Sequence, residues 1–247
     1  MVIRNAIPND YESLKALWLV AFSDEESYIE SFLRNKWMGD NCLVVEEEGR
    51  LVSMLFLLHA EIITDGKHSP AWYIYACATA TDFRGMGFMK MLLDEAYREA
   101  VSQSVFALLL VPASDDLFRY YEKASFHRLY KKPLSTNENL NYNNYTQISG
   151  PQIDRILVRR DTILNRELDV CWDLEHLIFA TGGAVSSYLT KDGYLIEEVY
   201  NNERRIIEQL PEMLEAISDE DYAMIRFCES YDLSKLGHLP YFNLALD

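Results

Sequence analysis

Apolar positions along the chain switch repeatedly between helical and strand-like spacing, and each switch marks an element. Residues 1–7 read as a short strand. Asn9 or Asp10 then caps a helix in which Leu14, Leu17, Trp18, Ala21 and Phe22 recur at helical spacing, so one face of it belongs to a core. Ser23-Asp24-Glu25-Glu26 matches a capping box and predicts a second helix carrying Tyr28, Ile29, Phe32 and Leu33 before Gly39. Residues 43–47 and 51–63 read as strands joined across Glu48-Gly49, and Asp65-Gly66 marks the turn before a strand over 72–80. A helix over 85–101, with Phe88, Met91, Leu92 and Ala96 on one face, leads into an apolar strand over 105–111. Strand, crossover helix and strand predict a parallel pair. A short helix over 117–123 and a closing strand over 126–130 follow.

Residues 134–146 are rich in Asn and Ser and lack a sustained period, which predicts a linker. The chain is therefore expected to divide into domains at 1–133 and 134–247. Beyond the linker the pattern predicts a helix over 154–164 and strands over 171–180, 184–190 and 194–200. A helix carrying Ile206, Ile207, Leu210, Leu214 and Ile217, kinked at Pro211, and strands over 222–228 and 241–246 complete it. The expected fold class is α/β: a mixed sheet flanked by helices, then a smaller α/β domain that repeats the order of elements.

Composition changes this picture only at its edges. A length of 247 residues, 49% of them apolar and 25% charged, suits a folded chain with a substantial core. Lys plus Arg number 23 against 39 Asp plus Glu, and the net charge of -16 repels phosphate backbones. With no basic stripe interleaved with aromatics, nucleic acid is an unexpected partner. Cys42, Cys77, Cys171 and Cys228 are widely spaced in apolar stretches and form no metal-ligand pattern, which fits buried thiols in a reducing cytoplasm. No segment has the apolar length of a membrane span or of a signal peptide, so a cytoplasmic protein with no membrane partner is expected.

The chemistry is concentrated in Ala78-Thr79-Ala80-Thr81-Asp82-Phe83-Arg84-Gly85-Met86-Gly87-Phe88-Met89-Lys90, where an apolar strand ends and an amphipathic helix begins. The first turn of a helix presents unpaired N–H groups and the positive end of its dipole, and glycines let a phosphate approach the backbone closely. Arg84 adds a fixed charge. Two glycines at a strand-to-helix turn also serve as a tight turn alone. The spacing is neither that of a Walker loop nor that of a dinucleotide fingerprint, since Lys90 stands at the third glycine.

The segment resembles the R-x-x-G-x-G/A cofactor motif of GNAT acyltransferases, with Arg84 and Gly87 matching it. Met89 stands where Gly or Ala is usual, a departure similar to the enhanced intracellular survival branch. Downstream, Tyr120-Tyr121-Glu122-Lys123-Ala124-Ser125-Phe126 resembles the F-Y-E-K-x-G-F signature that closes the acyltransferase domain, and the resemblance covers about residues 1–130. It implies that acetyl-CoA is bound by Arg84, Gly85, Met86, Gly87, Phe88, Met89 and Lys90. It also implies contacts from Ser114 and from the strand residues Cys77, Ala78 and Thr79.

The implied mechanism is direct attack of a neutral amine on the thioester. Tyr121 gives a proton to the departing thiolate, and backbone N–H groups near residues 77–79 hold the carbonyl oxygen. His59, Glu61, Tyr73, Tyr75 and water all remain open as the general base. The implied function is N-acetyl transfer to a small-molecule or peptide amine. The alternatives are a non-enzymatic acyl-CoA-binding module and a structural interaction protein with a vestigial site. In the second half the glycine turn is replaced by Tyr200-Asn201-Asn202-Glu203-Arg204-Arg205, so that half is expected to complete the acceptor pocket rather than to bind coenzyme A. Its Trp172, His176 and Gly182-Gly183 read as structural.

Overall fold

The computed structural model describes residues 1–134, 146–148, 154–181, 185–200, 203–210, 212–243 and 246. The predicted linker over 134–146, Gly182-Gly183, Asn201, Asn202 and Pro211 fall wholly or mostly outside them. Among the described residues the first half follows the sequence pattern closely. Strand β1 (Val2–Asn5) precedes helices α1 (Tyr11–Ala21) and α2 (Glu26–Asn35). A meander of β2 (Cys42–Glu47), β3 (Arg50–Thr64) and β4 (Lys67–Thr79) comes next. Both of its hairpins turn through two left-handed residues, Glu48-Gly49 and Asp65-Gly66, as their sequences require. Then come α3 (Phe88–Ser102), β5 (Ala107–Leu110), α4 (Asp115–Glu122) and β6 (His127–Pro133).

The second half departs from the expectation. It contains β7 (Thr146–Ile148), α5 (Asp154–Ile163), β8 (Val170–Cys171), α6 (Leu174–Thr181), β9 (Val185–Leu189), β10 (Tyr194–Tyr200), β11 (Glu203–Leu210), α7 (Glu212–Glu215) and β12 (Ile217–Phe227). The expected strand over 171–180 is a two-residue strand followed by α6. The expected helix through Ile206 and Ile207 is β11, which pairs antiparallel with β10 from Tyr200↔Glu203 onward. A helical stripe and the inner face of a strand both use closely spaced apolar residues, and the β-branched pair Ile206-Ile207 favours the strand. The expected final strand over 241–246 is not a strand where it is described.

The large sheet has the order β1-β2-β3-β4-β5-β12-β6, with β8 pairing β3 off this path. β4 and β5 form its parallel pair, joined by α3 as the sequence predicts, and the other pairings are antiparallel. A second sheet has the order β11-β10-β9-β7. β12 comes from the far end of the chain yet lies between β5 and β6.

β3 is buried on both faces, as its nearly unbroken apolar run from Leu51 to Ala60 demands. Leu14 and Trp18 of α1 and Phe32 of α2 pack with Met54, Phe56 and Leu58 on one face. Leu92, Leu93 and Ala96 of α3, with Phe118 and Tyr121 of α4, pack with Leu55, Leu57 and Leu108 on the other. In the second half, Arg160 and Glu208 are fully buried. Arg160 donates to Glu208 through Nε (3.1 Å) and Nη2 (3.4 Å), and Tyr194 and Tyr241 give their hydroxyl protons to the same carboxylate. Burial is the largest single effect on Arg160 and opposes its charge, but Glu208 together with Tyr194, Cys171 and Tyr241 outweighs it and raises the pKa.

Candidate active site

The site forms where the parallel pair opens. β4 and β5 are in register at Ala71↔Ala107, Trp72↔Leu108 and Tyr73↔Leu109, and the pairing stops there while β4 runs on beside β3. The continuation is irregular: Phe56 pairs with Tyr75, but Met54 pairs with Ala78, so β4 carries one extra residue. Ala76 adopts φ +49°, in the left-handed region, at this bulge. A bulge bends its strand and leaves the extra residue outside the ladder. Together with the splay it opens a cleft of about 630 Å³, within the usual range for small-molecule sites.

Three of the residues expected from sequence meet in this cleft. Cys77 comes from β4, Ser114 from the N-cap of α4, and Tyr121 from the last turn of α4. The Ser114 side chain caps no backbone N–H. Tyr121 is 6% exposed, and burial followed by the neighbouring Cys77 raises its hydroxyl well above the ordinary tyrosine range. Burial likewise pushes the Cys77 thiol up to about 12. Both groups are therefore protonated at neutral pH.

Ala78 and Thr79 do not line the cleft. The Ala78 carbonyl accepts from Ser53 Oγ (2.9 Å), and Thr79 Oγ1 shares a hydrogen bond with the same hydroxyl (2.8 Å). Beyond them the chain turns into α3. Gly85 and Gly87 take φ +78° and +87°, so both glycines have a conformational reason to be there. Gly87 is the N-cap and no side chain caps the helix, which leaves the first-turn amides of Phe88, Met89 and Lys90 without intrahelical acceptors. Arg84 Nε donates back to the Thr79 carbonyl (3.1 Å) and braces the turn.

The side chains around this turn are otherwise engaged or outward. Phe88 is buried against Phe83, Met86 is exposed, Met89 packs on the α3 side of the core, and Lys90 Nζ pairs with Asp94 (2.6 Å). At Phe88, Met89 and Lys90 the backbone is what the turn offers an anion. The segment lies at the end of β4, outside the residues lining the cleft.

Sequence reasoning missed the other end of the cleft. Trp18 of α1 and Phe22 at its C-cap line it, as do Asp24, Lys132 of β6, Glu220 and Tyr222 of β12, and Leu246. Trp18 was legible only as an apolar helix position. The expected capping box over Ser23-Asp24-Glu25-Glu26 does not form, because the N-cap of α2 is Glu25 without a side-chain bond, and Asp24 Oδ2 accepts from Trp18 Nε1 (2.7 Å). Asp221 also lines the cleft and ties β12 to β6 through Arg128 (2.9 Å) and Lys131 (2.7 Å).

Of the four side chains weighed as general base, Tyr73 and Tyr75 reach the cleft. Glu61 is paired with His68 (2.8 Å), and His59 lies with Asp173 (3.6 Å) in a separate hollow of about 300 Å³. Trp172 stacks on the buried His176 (3.8 Å between centroids) and donates to the Asn243 carbonyl (2.7 Å), so both serve the packing behind Tyr73. Among the described residues no His, Cys, Asp and Glu group is arranged to hold a metal, and no helix is long and apolar enough to cross a membrane.

Comparison with known proteins agrees with this architecture. Over 92% of the chain, the fold is similar to a GCN5-related N-acetyltransferase from Anabaena variabilis, covering 73% of that chain at 15% identity with a TM-score of 0.74. It is also similar to a GCN5-related N-acetyltransferase from Kribbella flavida, covering 92% and 70% of the two chains at 12% identity (TM-score 0.70). Eis1 from Mycobacterium abscessus aligns over 93% and 74% at 8% identity (TM-score 0.67). At these identities the likeness is one of fold. No curated protein matches the sequence. The family model of the acetyltransferase (GNAT) domain matches residues 2–127, just over half of the chain, and the protein belongs to the GNAT acetyltransferase family.

Proposed function

We propose that this protein is an N-acetyltransferase that moves the acetyl group of acetyl-CoA to a primary amine by direct attack. The observation that carries the reading is one continuous stretch of chain. β4 opens away from β5 at a bulge, faces Tyr121 there, and ends in a two-glycine turn at an uncapped helix N-terminus. In this reading the turn takes the coenzyme pyrophosphate, since its backbone amides and helix dipole favour anions. The thioester lies in the cleft, where amides of the bulged strand meet the carbonyl oxygen as it gains charge. The amine nitrogen forms a bond to the carbonyl carbon, the carbon–sulfur bond breaks, and the thiolate takes its proton from Tyr121.

The acceptor approaches from the end lined by Trp18, Tyr75 and Asp24. β12 and Leu246 close that end, which supports a second half that completes the acceptor pocket. Four cysteines without a disulfide support a cytoplasmic location.

The test is acetyl transfer by the full chain to a panel of small-molecule and peptide amines, read as thiol release and as product mass. Desulfo-coenzyme A is expected to protect the amides of residues 84–90 from exchange. Cofactor binding without transfer to any amine would replace the enzyme reading with an acyl-CoA-binding module. Absence of binding would leave a vestigial site.

A further inference from the structure

We infer that Cys77 is a positioning residue whose thiol holds the Tyr121 hydroxyl so that the phenolic proton faces the departing coenzyme thiolate. The inference rests on the reading of Tyr121 as the proton donor. Its basis is the register of β4. Along a regular strand successive side chains take opposite faces. Tyr73 and Tyr75 accordingly pack on the α1 and α2 side of the sheet, and Ile74 packs on the α3 and α4 side. Continued alternation would put residue 77 beside Tyr73 and Tyr75. The extra residue prevents this: Ala76 stays on the Tyr75 side, and Cys77 turns to the face that carries Tyr121. The left-handed Ala76 is therefore what brings thiol and phenol onto one wall of the same cleft, on the face that α4 covers, as neighbours.

A thiol is both a weak donor and a weak acceptor. Burial keeps this one protonated, so it is neither a nucleophile nor a competing base. Once the phenolic proton turns toward a leaving thiolate, the Cys77 S–H is a donor on the same cleft wall for the phenolic oxygen. As the carbon–sulfur bond breaks, the coenzyme sulfur takes the Tyr121 proton. The negative oxygen that remains accepts from the Cys77 S–H, which is not transferred. Tyr121 recovers a proton from the ammonium that the attacking nitrogen becomes, directly or through water. Cys77 is not acylated.

The experiment compares Cys77→Ala, Cys77→Ser, Tyr121→Phe and the Cys77→Ala/Tyr121→Phe double variant in the full chain, with an amine the wild type acetylates. Desulfo-coenzyme A binding is measured alongside. Loss of one hydrogen bond to a developing charge is expected to lower kcat of Cys77→Ala about tenfold, with donor affinity and the amine KM unchanged. Cys77→Ser restores most of that loss, because its hydroxyl donates in the same place. Cys77→Ala adds nothing to Tyr121→Phe, as expected of a residue acting through Tyr121. A wild-type kcat for Cys77→Ala, additive losses in the double variant, or a serine variant no better than alanine would each overturn the inference. Where Tyr121→Phe loses turnover and Cys77→Ala does not, only the role of Cys77 falls. Full turnover in Tyr121→Phe removes the proton-donor reading and this inference with it.

Discussion

Replacing Glu208 with Gln removes one negative charge from the buried centre of the second half while preserving volume. The carboxylate accepts two bonds from Arg160 and the hydroxyls of Tyr194 and Tyr241, and the arginine and glutamate are both fully buried. The variant leaves a guanidinium with no counter-charge in a site closed to water, a change that costs about 3–5 kcal/mol. Domains are typically stable by only about 5–15 kcal/mol, so the loss is large on that scale. The assay is urea unfolding followed by tryptophan fluorescence, with Arg160→Met/Glu208→Leu as the companion. Removing both charges takes the carboxylate acceptor from two hydroxyls but leaves no buried ion, so the double variant is expected to be no less stable than Glu208→Gln alone. A loss below about 1 kcal/mol in Glu208→Gln, or a double variant worse by the sum of its parts, would refute this account of the network.

Gly87→Glu meets no steric neighbour within 4 Å but forces a side chain into φ +87° and sets a carboxylate beside the proposed phosphate site. Titration calorimetry with desulfo-coenzyme A is expected to show no binding while the fold is kept. Tyr121→Phe keeps the ring packed against Phe126 and should lower turnover by roughly 10²–10⁴-fold with donor affinity unchanged; an unaltered rate with chemistry limiting would reassign the acid. The pair of His59 and Asp173 gives a pH signature. Hydrogen bonding to Asp173 raises the His59 pKa, so this stabilisation is complete below about 6.5 and is lost as pH rises through the higher folded value. Asp173 is held down at about 2, first by His59, so its own share fails only in strong acid. Asp173→Asn retains a helix-capping side chain, and its Tm deficit against wild type should be widest near pH 5–6 and narrow toward pH 9; a constant deficit would count against the pair.

The sequence revealed most where local chemistry and tertiary structure agree. Glu48-Gly49 and Asp65-Gly66 specify their hairpins, the crossover over α3 specifies a parallel pair, and the Gly85 and Gly87 turn shows in its spacing. Cys77, far in the chain from Ser114 and Tyr121 at the two ends of α4, does meet them in one cleft. What stayed hidden depends on partners distant in sequence. The polar Glu208 sits inside a strand because Arg160 and two tyrosines await it there, and no local pattern encodes that. Ser23-Asp24-Glu25-Glu26 read as a capping box, but Glu25 is the N-cap of α2 and Asp24 is held by Trp18 Nε1, a tertiary contact that no local pattern shows. The bulge at Ala76 left no glycine or proline as a marker.

The place of β12 has a consequence for how the protein must be made. Ile217 pairs with Pro133 and Phe227 with Ala107, so the strand that joins β5 to β6 emerges only after the whole second sheet has been synthesised. Until then the nascent chain carries an open edge of apolar strand at β5, the kind of surface that recruits other chains, while the basic β6 lacks its partner. The segment that matches the family is a recognisable sequence unit whose sheet is completed by a strand from outside it. A fragment ending near residue 134 is expected to aggregate, whereas supplying residues 146–247 in trans should rescue it. On the ribosome, the cleft takes its final shape only near the end of translation.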